Sequence, residues 1–133
     1  MIAELQAATH RVVDHLAREL RPLGLTPAEV NALTRLRPGE PVAVAELVAA
    51  TGQRPSTLTG VIDRLEGRGL LTRAVNARDR RSFILELTPA GEAAAGQVHA
   101  AFATLEERAL ALVGPRSAAG HQRVLEALKE VTT

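Results

Sequence analysis

The spacing of apolar residues changes twice along this chain, and this change constrains the fold more than any other feature of the sequence. As far as Gly69, apolar residues recur every three or four positions, which is typical of amphipathic helices. Between Leu70 and Thr88 they alternate with polar residues instead, as in half-buried β-strands. Beyond Pro89 the helical spacing returns. The sequence therefore predicts a mostly α-helical chain that contains one small β-hairpin.

Six helices follow from this spacing and from residues that favour helix ends. Thr26, Pro27 and Glu29 predict a capping box at the start of the second helix, because their types match its N-cap, first and third helical positions. The predicted helices span residues 2–20, 27–37, 43–50, 55–67, 89–113 and 117–131. The predicted strands span residues 70–75 and 82–88, with Phe83, Leu85 and Leu87 on one face of the second. The expected order is four helices, two strands and two helices.

The third and fourth predicted helices are separated by only a few residues, which include Gly52. Two helices joined by such a turn are typical of a helix-turn-helix. On the fourth helix, the apolar stripe predicted to face inward comprises Leu58, Val61, Ile62 and Leu65. The positions predicted to face outward include Ser56, Thr57, Thr59, Gly60, Asp63 and Arg64. Short hydroxyl side chains near a helix N-terminus permit close approach to base edges and phosphates, although an ordinary capped surface helix has the same composition.

Arginine is concentrated between Arg54 and Arg81. Seven arginines and three carboxylates lie in this segment, so its net charge is +4, whereas the rest of the chain carries −3. Three of the arginines, including Arg78 and Arg80, lie in NARDRRS, residues 76–82, which connects the two predicted strands. Like charges repel, so their crowding indicates a polyanionic partner. An arginine-tipped hairpin after a helix-turn-helix can place cations in the minor groove of DNA.

Asp79 lies two residues before Arg81, close enough to orient its guanidinium by a bidentate pair. We therefore predict that Asp79 orients the guanidinium of Arg81. The alternative is a solvated turn with an incidental Asp–Arg pair. The helix and the hairpin taken together favour double-stranded DNA as the partner.

Two stretches, RPSTLTGVIDRLEGRGLL and RDRRSFILELTPAG, resemble the winged helix-turn-helix of the multiple-antibiotic-resistance regulator (MarR) family of bacterial and archaeal transcription factors. LTPAEVNALTRL resembles the second helix of that family. The resemblance implies one MarR-like domain, residues 1–133, with a DNA-binding lobe at 22–88. It also implies dimerisation helices at 1–21 and 89–133, which interleave with those of a second subunit. Long apolar-striped helices at both ends agree with this, since one lobe cannot cover them.

The resemblance also implies which residues contact DNA. The predicted set is Arg54, Ser56, Thr57, Thr59, Gly60, Arg64, Arg78, Asp79, Arg80 and Arg81. Its three hydroxyl residues match base-reading positions, and Arg81 matches the minor-groove arginine. Arg64, Arg78 and Arg80 are assigned to phosphates. Gly60 is a departure, because relatives often carry a longer polar or basic side chain there.

Other functional classes find no support in the sequence. The absence of cysteine excludes a disulfide framework and a thiolate metal site, and the four histidines, at positions 10, 15, 99 and 121, lack ligand spacing. No phosphate-binding glycine loop, nucleophile elbow or catalytic carboxylate pair is present, so neither an enzyme nor a cofactor is expected. No apolar run is long enough for a membrane span and the N-terminus has no signal-peptide h-region, so a cytoplasmic protein is expected.

Together with the residue patterns, the resemblance implies a homodimeric repressor that binds a pseudo-palindromic operator in double-stranded DNA and responds to a small-molecule effector. The only aromatic residues are Phe83 and Phe102, which leaves few groups on which a phenolic effector could stack. The alternative is a winged-helix dimer that serves as a protein-interaction module without DNA binding.

Overall fold

The computed structural model describes residues 1–133 and contains six α-helices and three β-strands. The elements are α1 (Ile2–Glu19), α2 (Pro27–Leu33), β1 (Val42–Ala43), α3 (Val44–Thr51), α4 (Pro55–Gly67), β2 (Leu71–Val75), β3 (Phe83–Leu87), α5 (Pro89–Leu110) and α6 (Pro115–Val131). A single 3₁₀ turn, Arg21–Leu23, precedes α2. The chain divides into two compact units, residues 1–101 and 102–133. The predicted class, mostly helical with a small sheet and terminal helices, is confirmed.

The start of α2 is the capping box that the sequence predicts. The Thr26 hydroxyl accepts a hydrogen bond from the Glu29 N–H at 3.3 Å. The Glu29 carboxylate in turn accepts the Thr26 N–H at 3.0 Å. Two N–H groups that a helix start would otherwise leave unpaired are thereby satisfied.

The predicted end of α2 at Arg37 is wrong, because the helix ends at Leu33. The N–H groups of the second and third residues after it bond to carbonyls only three positions back. Such tighter bonds are typical of a helix terminus. Pro38 also disfavours helical backbone at the residue before it, so the helix cannot continue to Arg37 without strain.

The predicted hairpin belongs to a three-stranded antiparallel sheet with the strand order β1-β3-β2. β2 and β3 pair along their full length, which confirms the hairpin and leaves residues 76–82 as its tip. β1 contains only two residues, which pair with Ile84 and Leu85. Such a short strand has no alternation of apolar and polar residues to detect, so it was not predicted from the sequence.

The core of residues 1–101 is aliphatic. Its largest fully buried side chains are Leu33, Leu36, Leu47, Leu58, Leu65, Leu71, Leu85, Val61 and Val98. The predicted inward stripe of α4 is confirmed, since none of its four side chains is more than 2% exposed. On β3, Leu85 and Leu87 are buried, whereas Phe83 is 43% exposed. Phe83 is next to the hairpin tip and therefore extends beyond the core.

The first turn of α5 packs directly against the backbone at the base of the hairpin. The Thr88 hydroxyl caps α5 by accepting the Gly91 N–H at 3.0 Å, and the Thr88 N–H bonds to the Leu70 carbonyl oxygen at 3.1 Å. A β-carbon at Gly91 would lie 1.7 Å from that same carbonyl oxygen. Because no side chain fits there, glycine determines how closely α5 approaches the hairpin.

The terminal helices have large apolar side chains that the single chain leaves exposed. In α1 only Leu16 is buried. None of the residues in 102–133, which include the end of α5 and all of α6, is buried. The exposed apolar side chains of these helices and of the connection between the last two are Ile2, Val12, Val13, Phe102, Leu110, Leu112, Val113, Val124 and Val131. None of the helices is both long enough and apolar enough to span a bilayer.

Candidate nucleic-acid interface

α3 and α4 form a helix-turn-helix pair separated by three residues. Gly52 ends α3 with a φ of 67°, in the left-handed region that glycine adopts without strain. Two side chains hold the turn against α2. The Asn31 amide donates to the Thr51 carbonyl oxygen at 3.4 Å, and the Gln53 amide donates to the Ala28 carbonyl oxygen at 3.1 Å. These bonds set the position at which α4 begins.

The outward face of α4 bears the residues predicted to contact DNA. Arg54, Ser56, Thr57, Thr59 and Arg64 are exposed, and Gly60 is half-buried. The first turn contains no acidic residue, so nothing there neutralises the partial positive charge of the helix N-terminus. The Thr59 hydroxyl donates to the Pro55 carbonyl oxygen at 3.0 Å. The hydrogen atom of this hydroxyl is therefore used within the chain. Toward DNA, the Thr59 hydroxyl can still accept a hydrogen bond.

Arg64 is not the free cation that its predicted phosphate role implies. Its Nε atom lies 2.7 Å from a carboxylate oxygen of Glu29, whose side chain is 4% exposed against 52% for Arg64. Glu29 uses its other oxygen to cap α2, so one buried carboxylate joins the start of α2 to α4. The sequence predicted the capping role of Glu29. No local pattern predicts its pairing with Arg64, which lies 35 positions later.

Arg73 of β2 joins the hairpin to α4, and it is absent from the set of residues predicted from the sequence. Its Nη2 atom lies 2.8 Å from a carboxylate oxygen of Asp63 and 2.8 Å from one of Glu66. The Arg73 guanidinium carbon also lies 5.6 Å from the ring centroid of Phe83, a cation–π distance. Asp63 belongs to the outward face of α4, so these contacts tie that face to the base of the hairpin. Only one feature of the sequence could have indicated this contact. Asp63 and Glu66 are three residues apart, which places both carboxylates on one side of a helix.

The ion pair between Arg73 and Glu66 changes the acidity of both groups. The hydrogen bond from Arg73 lowers the pKa of the Glu66 carboxyl below its usual value of 4.5, against a smaller opposing effect of desolvation. The same bond raises the pKa of the Arg73 guanidinium. The pair is therefore charged on both sides at neutral pH.

The hairpin tip, residues 76–82, is ordered by its own hydrogen bonds. The Asn76 side chain accepts the N–H of Arg78, and the Asp79 carboxylate accepts the N–H of Arg81, both at 3.0 Å. Asparagine and aspartate favour this kind of turn, in which the side chain bonds to the backbone two residues on. A backbone hydrogen bond closes the loop at its base. The crowded arginines therefore project from a backbone with a defined shape.

Asp79 does not form the predicted bidentate pair with the Arg81 guanidinium. Its carboxylate binds the backbone N–H instead, because that donor is fixed nearby, whereas ordering a long arginine side chain costs conformational entropy. The side chains of Arg78, Arg80 and Arg81 are exposed and have no ionic partner within the chain. The tip thus presents three unpaired cations to solvent.

A pocket of about 220 Å³ opens beside the first turns of α5. Seven of its nine lining residues have apolar side chains, and Arg68 and Gln97 are the polar ones. The Arg68 guanidinium donates to the carbonyl oxygens of Leu23 and Gly24, at 2.6 Å and 3.1 Å. The pocket is smaller than the roughly 300 Å³ at which pockets for drug-sized ligands begin.

Part of the chain is similar in sequence to known proteins. Residues 23–82 match the model of the MarR family. Over 88 residues the chain is 32% identical to the HTH-type transcriptional repressor MdtR of Bacillus subtilis, covering 66% of this chain and 57% of MdtR. The chain spans about half the length of the curated relatives it matches, between 44% and 60% of each of three.

Solved structures match over nearly the whole chain. A probable transcriptional regulator from Pseudomonas aeruginosa is 30% identical, with 96% of both chains covered and a TM-score of 0.75. BpsR of Bordetella bronchiseptica, whose DNA binding is regulated by 6-hydroxynicotinic acid, is 25% identical. Its alignment covers 96% of this chain and 91% of BpsR, with a TM-score of 0.79.

Proposed function

The chain belongs to the MarR family of transcriptional regulators, and from this premise we propose that it is a repressor that binds a pseudo-palindromic operator as a homodimer. The family expected from the sequence is confirmed, and it is a family of regulators rather than of enzymes. One observation carries the proposal. The outward face of α4 is tied through Arg73 to a hairpin whose three tip arginines have no partner within the chain.

α4 is proposed to enter the major groove with its N-terminal half. Ser56, Thr57 and Thr59 are short enough to let the helix approach base edges, and each hydroxyl can accept a hydrogen bond from an exocyclic amine. Arg54 and the helix N-terminus contact the neighbouring phosphates, since the partial positive charge there is not neutralised within the chain.

The hairpin is proposed to follow the adjacent minor groove. That groove has a negative potential, and an arginine inserted into it gains from the potential without a specific base contact. Arg81 is the inserted side chain, and Arg78 and Arg80 bind phosphates on either side. Asp79 supports them by holding the backbone turn.

A second copy of the chain is proposed to cover the apolar side chains of the terminal helices. The whole of residues 102–133 has no buried side chain in the single chain, although it contains Phe102, Leu110 and Val124. Helices with so little burial are not stable in water by themselves. In such a dimer the two α4 helices would enter successive major grooves, roughly 34 Å apart.

DNA binding is further proposed to respond to a small-molecule effector. BpsR, a structural relative, is regulated by 6-hydroxynicotinic acid, and the pocket beside α5 is of a size that suits a molecule of this kind. Because α5 begins against the hairpin base at Gly91, a ligand in that pocket would act on the position of the hairpin.

The proposal is tested by selecting bound fragments from random duplex DNA and titrating the selected duplex at several salt concentrations. Arg54, Arg78 and Arg80 give about six phosphate contacts per dimer, so log K should fall with log salt at a slope of roughly −5. The selected sequence should contain two half-sites. Sedimentation should show a dimer of twice the 14.1 kDa of one chain.

The absence of salt-dependent duplex binding would contradict the proposal and favour the protein-interaction module. A monomer at micromolar concentration would contradict the dimer. The same selection is repeated with a panel of small aromatic acids to test the effector. If no acid changes the affinity for the selected duplex, an effector of that chemical class is contradicted.

A further inference from the structure

Gly60 leaves a gap in the outward face of α4, and the side chain of Arg64 occupies that gap. A β-carbon at Gly60 would lie 3.3 Å from the Nη1 atom of Arg64, which is tighter than nine in ten such contacts. Side chains on a helix lean towards its N-terminus, so a residue covers the surface of the turn before its own. The Arg64 guanidinium therefore lies over the middle of the face that is proposed to meet DNA.

Glu29 fixes the orientation of that guanidinium. Its carboxylate is buried, and its two oxygens accept the Nε–H of Arg64 at 2.7 Å and the N–H of Thr26 at 3.0 Å. The Nε of Arg64 is thereby used within the chain, whereas Nη1 and Nη2 make no hydrogen bond to protein. Since the side chain is 52% exposed, two parallel N–H donors remain available at its end.

This arrangement suits a base better than a phosphate. Glu29 neutralises the Arg64 charge, which weakens long-range attraction to the DNA backbone. Its hydrogen bond also restricts the side chain before binding, which lowers the entropic cost of a directed contact. The two terminal N–H groups of an arginine match N7 and O6 of guanine in the major groove. Arg54, Arg78 and Arg80 have no acidic partner and remain free for phosphates.

We propose that Arg64 is a specificity-determining residue that reads one guanine in each half-site, and that Gly60 makes room for it. This inference rests on the proposed function, because it requires α4 to enter the major groove. It replaces the phosphate role that was predicted for Arg64 from the sequence. It also explains why position 60 is a glycine, which has no side chain.

The test is selection from random duplex DNA with the full chain and three variants. Arg64→Gln keeps an N–H donor at the position along the side chain where Nε stands in arginine, so the buried Glu29 is not left without a hydrogen bond. It removes both terminal N–H donors, and its amide matches adenine rather than guanine. Gly60→Leu retains Arg64 and fills the gap. Gly67→Leu is the matched control on the same helix, because a β-carbon at Gly67 would have no neighbour within 4 Å.

Arg64→Gln and Gly60→Leu should both lose the preference for guanine at the same base pair of each half-site. The expected loss is roughly 5- to 150-fold, the range for a missing bidentate pair. In Arg64→Gln, preferences at the other base pairs and the salt slope should stay as in the wild type. Gly67→Leu should select the wild-type sequence.

A uniform loss of affinity on all sequences, with the salt slope reduced by about one for each phosphate that is no longer bound, would assign Arg64 to a phosphate and overturn the inference. An unchanged guanine preference in Arg64→Gln would overturn it as well, as would losses at different base pairs in the two variants. If Arg64→Gln fails to fold, Gly60→Leu decides alone. A wild-type chain that selects no sequence refutes the proposed function itself, which is a distinct result.

Discussion

Glu66 of α4 and Arg73 of β2 form a two-point ion pair, with nitrogen–oxygen distances of 2.8 Å and 3.4 Å, which joins the helix proposed to enter the major groove to the hairpin proposed to enter the minor groove. Asp63 adds a third contact to the same guanidinium. All three side chains are partly exposed, so these ion pairs add little to the stability of the fold. Their effect is to hold the hairpin in position relative to α4.

Arg73→Gln should weaken operator binding while leaving the fold largely intact. Exposed ion pairs add little to the free energy of unfolding, because water and salt screen them, so the variant should melt close to the wild type. The hairpin, released from α4, should then reach the minor groove at an entropic cost. Fluorescence anisotropy with the selected duplex measures the affinity. Binding equal to that of the wild type would show that Arg73 does not position the hairpin.

The stabilising effect of Glu66 should disappear in acid. Since the pKa of its carboxyl is lower in the folded chain than its usual 4.5, its contribution is complete above that value and is lost as the pH falls through the lowered pKa. Thermal unfolding of the wild type and of Glu66→Gln, from about pH 6 to about pH 3, should show a gap in melting temperature that closes in acid. A gap independent of pH would contradict the pairing. High salt should narrow the gap at neutral pH.

Arg81→Ala should weaken binding to the selected duplex by about 1–3 kcal/mol without unfolding the chain. The Arg81 side chain is exposed and has no ionic partner to lose. Arg116→Ala is the matched control, since it removes one exposed arginine from α6, outside the proposed surface. Equal affinities for the two variants in a gel-shift titration would remove Arg81 from the interface.

Asp79 variants distinguish a backbone role from an orienting role toward Arg81. Asp79→Ala should weaken DNA binding by about 1 kcal/mol, because the N–H of Arg81 loses its acceptor and the tip loses its defined turn. Asp79→Asn keeps a side-chain oxygen for that N–H but has no charge, so it should bind nearly as the wild type does. If Asp79→Asn is as weak as Asp79→Ala, the carboxylate orients the guanidinium in the complex instead.

Gly91→Ala should lower the free energy of unfolding by roughly 3 kcal/mol, because its β-carbon would overlap the Leu70 carbonyl oxygen and force α5 away from the hairpin. Gly96→Ala on the same helix meets no neighbour within 4 Å. It should therefore leave the stability unchanged or raise it by up to about 1 kcal/mol, through better helix propensity. Denaturant titration compares the two variants. Similar stabilities would show that α5 can shift to accommodate the side chain.

Much of the fold was predictable because its signals are local. The capping box of Thr26 and Glu29, the buried stripe of α4 and the alternation in the hairpin each depend on residues within a few positions of one another. The end of α2 and the strand β1 were not predictable in the same way. α2 ends where tighter backbone bonds form, and β1 exists only because two residues meet Ile84 and Leu85 of a distant strand.

The same distinction between local patterns and tertiary packing applies to the candidate site. Helical and strand periodicity were enough to identify the outward face of α4 and to place the arginines at the tip of the hairpin. Which of those cations are free depends instead on how the elements pack. Packing pairs Arg64 with Glu29 and Arg73 with Glu66, while it leaves the three tip arginines without ionic partners. An ion pair requires a separation of a few ångströms between groups on different elements, and no local pattern encodes that separation.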